Sequence, residues 1–136
     1  MAHTIEIPRE NWVGYFEHLS QRARTYPVRL EVENRDIGDQ EMARGFPLVG
    51  IELETKGSEA GDIEVTVGDE RQEFMHHVDN PMRVFLMVDD SGNIDCIEIE
   101  DRDNGKTLIF FEHHPGLPAE TRQEVSGGYE QPVPGP

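Results

Sequence analysis

Arg83-Val84-Phe85-Leu86-Met87-Val88, Asn93-Ile94-Asp95-Cys96-Ile97-Glu98-Ile99-Glu100 and Lys106-Thr107-Leu108-Ile109-Phe110-Phe111-Glu112 read as three consecutive antiparallel strands. The connections, Asp89-Asp90-Ser91-Gly92-Asn93 and Asp101-Arg102-Asp103-Asn104-Gly105, are dense in turn formers. Asn104-Gly105 is a strong hairpin signal, because both residues tolerate positive φ. Within the strands, Val84, Leu86 and Val88 share one face, and Phe85 and Met87 share the other. Leu108 and Phe110 likewise oppose Ile109 and Phe111. A half-buried strand is apolar on one face only. These strands are apolar on both, so each face needs a cover. An N-terminal helix supplies one. A second sheet layer, a partner subunit or a ligand is expected to supply the other.

Upstream, Val28, Leu30 and Val32 alternate with Arg29, Glu31 and Glu33 as a one-sided strand. Gln40 to Arg44 pairs as a short strand, and Gly45-Phe46-Pro47 bends it. Val49, Ile51 and Leu53 alternate with Glu52 and Glu54. Ile63, Val65 and Val67 alternate with Glu64 and Thr66. Phe74, His76 and Val78 form one side of a weaker strand. Residues 1–7 are an extended lead-in, and Pro8 suits a first helical position. From Arg9 to about Arg22, Trp12, Tyr15, Phe16 and Leu19 recur at helical spacing, with Glu10, Asn11, Glu17, His18 and Gln21 opposite. That stripe reads as a core-facing surface.

The fold class is therefore α+β, mostly β. One N-terminal helix packs on a seven- to eight-strand antiparallel meander, as a twisted sheet, a sandwich or a partly closed barrel. Residues 1–112 form a single domain. Residues 113–136 form a tail rich in proline and glycine, ending in Gln131-Pro132-Val133-Pro134-Gly135-Pro136, which favours extended polyproline-like backbone.

Composition narrows function. Twenty-eight acidic residues against 12 basic give a net charge of −16. That argues against nucleic acid and anionic membrane, which need clustered cations. Arg22, Arg24, Arg29 and Arg35 form the densest basic region, but Glu31 and Glu33 interleave with it. A single cysteine excludes an intramolecular disulfide. No apolar segment follows Met1 and no run reaches membrane-spanning length, so a cytoplasmic location is expected.

The candidate chemistries are weak. His76-His77 and His113-His114 are paired, but strand neighbours face opposite ways, so each pair offers one ligand to a given site. No metal site is expected from them. Asp101-x-Asp103-Asn104-Gly105 departs from calcium-loop spacing and reads as a hairpin turn. Cys96, beside Asp95 and Glu98, reads as a packing residue. There is no serine elbow, P-loop or dinucleotide fingerprint. No catalytic residue and no cofactor are expected.

Ile7-Pro8-Arg9-Glu10-Asn11-Trp12 at the helix start, and the segment Asp89 to Gly105 with Ile97-Glu98-Ile99-Glu100-Asp101, resemble a small bacterial domain-of-unknown-function family. The resemblance covers roughly residues 5–112 and implies no activity. The sequence thus points to a non-enzymatic module that binds protein or itself, as a homodimer or with a protein partner. A barrel with an apolar cavity for a small molecule is the alternative, and a weak divalent-cation binder the next. If the three strands pair in simple register, Phe85, Met87, Ile109 and Phe111 form the interaction face.

Overall fold

The computed structural model of the chain describes residues 3–24, 26–36 and 38–112. Strand β1 (His3–Ile7) precedes a 3-10 turn (Arg9–Asn11) and helix α1 (Trp12–Arg22). Then come β2 (Pro27–Asn34), β3 (Gly38–Leu53), β4 (Ile63–Gly68), β5 (Glu73–Val78), β6 (Pro81–Val88), β7 (Ile94–Asp101) and β8 (Lys106–Phe111). The eight strands form one antiparallel sheet in the order β1-β6-β7-β8-β2-β3-β4-β5. It is open, ending on β1 and β5. Two meanders, β2 to β5 and β6 to β8, are joined where β8 pairs with β2. The expected lead-in is a true edge strand, with Ile5 and Ile7 opposite Leu86 and Val84.

The helix start works by side chains as well as backbone. Pro8 stands just before the first turn, where its carbonyl accepts the Asn11 N–H at 2.9 Å. Trp12 donates its indole N–H to the Ile7 carbonyl at 2.9 Å, and the Arg9 guanidinium lies 4.5 Å from the Trp12 ring centre. Trp12, Tyr15, Phe16 and Leu19 are all buried, as the helical spacing predicts.

Strand β3 holds the two ends of the fold together. The two short segments expected around Gly45 are one strand, bent there by a glycine at φ 79° and by β-bulges. Its first half pairs with β2 and its second with β4. One bulge falls between Leu48 and Gly50. It pushes Val49 outward, against the simple alternation, and leaves Leu48 and Ile51 buried. The bend turns both halves of the sheet toward one core. Val65, Val84, Leu86, Ile97, Ile109 and Phe111 share it with the α1 stripe. His76 of β5 reaches Thr107 of β8 across it, Nε2 to Oγ1 at 3.1 Å. The inner face is thus covered by α1 and by the sheet's own second half. Among the described residues, no helix is long and apolar enough to cross a membrane.

Candidate functional site

The expected interaction face does not assemble as drawn. Register carries Leu86 through Ile97 to Ile109, and Phe85 through Glu98 to Leu108. Ile109 and Phe111 therefore lie on the inner face, 0% and 2% exposed. Phe85 and Met87 lie on the outer face, half-buried. Each strand's alternation was read correctly, but the two apolar sets of β8 were joined to the wrong sets of β6.

The outer face carries Phe85, Met87, Cys96, Leu108 and Phe110. Cys96 and Leu108 are buried there, apart from the main core. The Arg29 guanidinium lies 4.2 Å from the Phe110 ring centre and is held by Glu31, Nε to Oε2 at 2.6 Å. Long charged side chains thus lie over apolar ones. Burial pushes the Cys96 thiol up to about 12, which suits packing rather than reactivity.

Glu98 sits in register between Phe85 and Leu108. Burial, and then a hydrogen bond with Glu100, push its carboxyl above the ordinary 4.5. The folded state then holds more protons than the unfolded one as pH rises past 4.5, so stability falls through that window. The loss is complete above the folded value and absent below the ordinary one. Glu98→Gln is expected to raise the urea midpoint at pH 7 and to leave it unchanged below about pH 4.5. An equal gain at both pH values contradicts this account.

Two other places bring functional groups together. The first is a groove between α1 and β3. Strand β2 stops at Pro27, opposite Pro47, so among the described residues no strand flanks that side of β3 beyond it. The helix takes the place instead. The Ser20 hydroxyl accepts the Ile51 N–H at 3.0 Å and donates to the Ile51 carbonyl at 3.4 Å. The groove holds about 380 Å³, within the range of ligand sites. Phe16 and Ile51 are buried in its walls, while Val13 and the bulged Val49 are 47% and 39% exposed. Glu17, Arg24 and Glu52 supply charge.

The second is the turn between β5 and β6. His77 and Asp79 are two apart and share the outer face of the β4–β5 hairpin. Asp62 precedes β4 on that face, diagonal to His77, whose direct partner is Glu64. His77 Nε2 stands 2.9 Å from Asp62 Oδ2 and 3.1 Å from Asp79 Oδ1. The other Asp62 oxygen accepts the Asn80 N–H at 3.0 Å. That bond, then His77, holds Asp62 below its ordinary value, and the hydrogen bond to Asp62 chiefly pushes His77 up. Asn80 turns at φ 50°. Its carbonyl accepts the Arg102 N–H at 3.1 Å, and Arg9 donates to the Pro81 carbonyl at 3.1 Å.

Of the paired histidines, His76 thus points inward and His77 outward. His113 and His114 lie outside the described residues, as does the tail. A carboxylate beside the histidines was expected from Glu73 or Glu112, whereas the structure puts Asp62 there. The usable signal was His77-x-Asp79 running into Asn80-Pro81. The acidic hairpin turns serve the backbone: Asp89 Oδ1 accepts the N–H groups of Ser91 and Asn93, and Asp101 Oδ1 those of Asp103 and Gly105.

The chain belongs to a family of unknown function (DUF5335), whose family model matches residues 3–120. That agrees with the resemblance in the helix start and in the Asp89–Gly105 segment. It is also similar to an uncharacterized protein of Aquifex aeolicus (strain VF5), 29% identical over 115 residues, which cover 85% of this chain and 96% of that protein. No solved structure matches.

Proposed function

We propose that this member of the DUF5335 family is a protein-binding module that takes an extended, basic segment of a partner protein into the groove between α1 and β3. The groove carries the reading. Past Pro47, β3 has a helix rather than a strand beside it, and exposed Val13 and Val49 flank the gap. Ser20 already holds the Ile51 backbone groups, so an extended segment lying in the groove is gripped by the apolar walls at alternate side chains. The charge selects the partner. A surface of net −16 steers cationic chains toward it and repels a second copy of itself. Glu17 and Glu52 against the one Arg24 leave the groove itself with an excess of negative charge.

Selection of a randomised 12-residue peptide library on the immobilised protein tests this. Recovered peptides are expected to alternate apolar residues with lysine or arginine. Val49→Arg sets a charge against the apolar wall and a cation against the cationic peptides, and should weaken them by about ten-fold or more. Val49 is exposed at a bulge, so the variant keeps its fold. Failure to enrich any sequence, or peptides that bind the variant equally well, overturns the reading.

A further inference from the structure

We propose that Asp62, His77 and Asp79 form an exchangeable site for a zinc-class divalent transition-metal ion. One atom from each, Asp62 Oδ2, His77 Nε2 and Asp79 Oδ1, lie within 4.8 Å of one another. Both carboxylate oxygens converge on the same ring nitrogen, at 2.9 and 3.1 Å. That nitrogen carries at most one hydrogen, which can point at only one of them. An ion bonds to all three. A tetrahedral ion with bonds of about 2.0–2.2 Å holds its ligands about 3.3 Å apart. The two spacings to His77 need to open by only a few tenths of an ångström to admit it, and the two carboxylate oxygens, within 4.8 Å of each other, need to settle at the same distance, which an exposed side chain at Asp79 allows.

The donor set selects the ion. Two carboxylates balance a divalent charge. The imidazole favours zinc, nickel or copper over calcium and magnesium, which take oxygen ligands. The support behind Asp62 is of the kind such ligands have: the Asn80 N–H holds one oxygen and leaves the other for the ion. His77 is fixed by pairing of β5 with β4 on one side. Asp79 is 78% exposed, so the remaining coordination position faces solvent. An ion there is held by three protein ligands and water, and exchanges readily.

Isothermal titration of the full chain with zinc(II) alone tests this. One ion per chain is expected to bind saturably. Asp79→Asn and His77→Gln should each weaken binding at least about ten-fold, the scale of even an outer-shell change. Asp79 is exposed, so its variant is read without concern for folding. His113→Gln with His114→Gln should leave the affinity unchanged. Calcium(II) should bind at least about ten-fold more weakly than zinc(II). Absence of saturable zinc binding, zinc binding unchanged in Asp79→Asn and His77→Gln, loss of it in the double tail variant, or calcium bound as tightly, overturns the site.

Discussion

Phe16→Ala is expected to lower folding stability by about 3–5 kcal/mol. The ring is 1% exposed at the centre of the α1 stripe, between Trp12 and Leu19. It meets Tyr15 edge-on, with ring centres 6.2 Å apart and planes at 63°. Truncation removes its transfer energy and leaves a void whose walls belong to two elements, helix and sheet. Those walls cannot close together without undoing the Ser20–Ile51 bonds. Total stabilities of about 5–15 kcal/mol make this loss a large share of the whole. Val13→Ala, one turn position away but exposed, should change stability by no more than about 0.5 kcal/mol. Urea unfolding of both variants decides it. Equal midpoints mean that the stripe does not anchor the helix.

That stripe was legible in the sequence because one helix carries its whole pattern within eight residues. The strands were legible one at a time for the same reason, since period-2 alternation is local. What joins them is not. Phe85 and Ile109 were placed together because both strands are apolar on both faces, so hydrophobicity did not choose between the two ways of joining them. The choice is made through β7, where Glu98 pairs with Phe85 on one side and Leu108 on the other. Bulges hide in the same way. Val49 fits an alternation with Ile51 and Leu53, yet one extra residue reverses it. The pairing of β8 with β2 brings Arg29 over Phe110 on the outer face. No local pattern announces that roof. Asp62 joins His77 across a β4–β5 pairing in the same non-local way, whereas Asp79 was readable two residues along the chain.

A second large effect is expected where one glycine cannot be replaced. Gly68 closes the β4–β5 ladder opposite Glu73. A Cβ there would lie 2.3 Å from the Gln72 carbonyl oxygen and 2.7 Å from the Glu73 Cα. Both are backbone atoms, so no side-chain rotation relieves the clash. The turn is also held. The Asp69 N–H donates to the Gln72 carbonyl at 2.7 Å, and Asp69 Oδ1 accepts the N–H groups of Arg71 and Gln72 at 2.8 and 2.9 Å. Moving Gln72 away from a new methyl group breaks bonds that shape the turn. Gly68→Ala is therefore expected to cost about 3 kcal/mol, at the upper end of overpacking effects. The same change at Gly14, in the middle of α1 with nothing within 4 Å of its Cβ, should add up to about 1 kcal/mol. One chemical change thus acts in opposite directions, according to what stands beside each glycine. Thermal unfolding of the two variants measures the contrast. If Gly68→Ala melts with the parent, the turn yields and β5 is not fixed by it. If it melts lower, the turn that sets β5 also sets where His77 stands against Asp62, and the folded fraction should hold zinc less tightly.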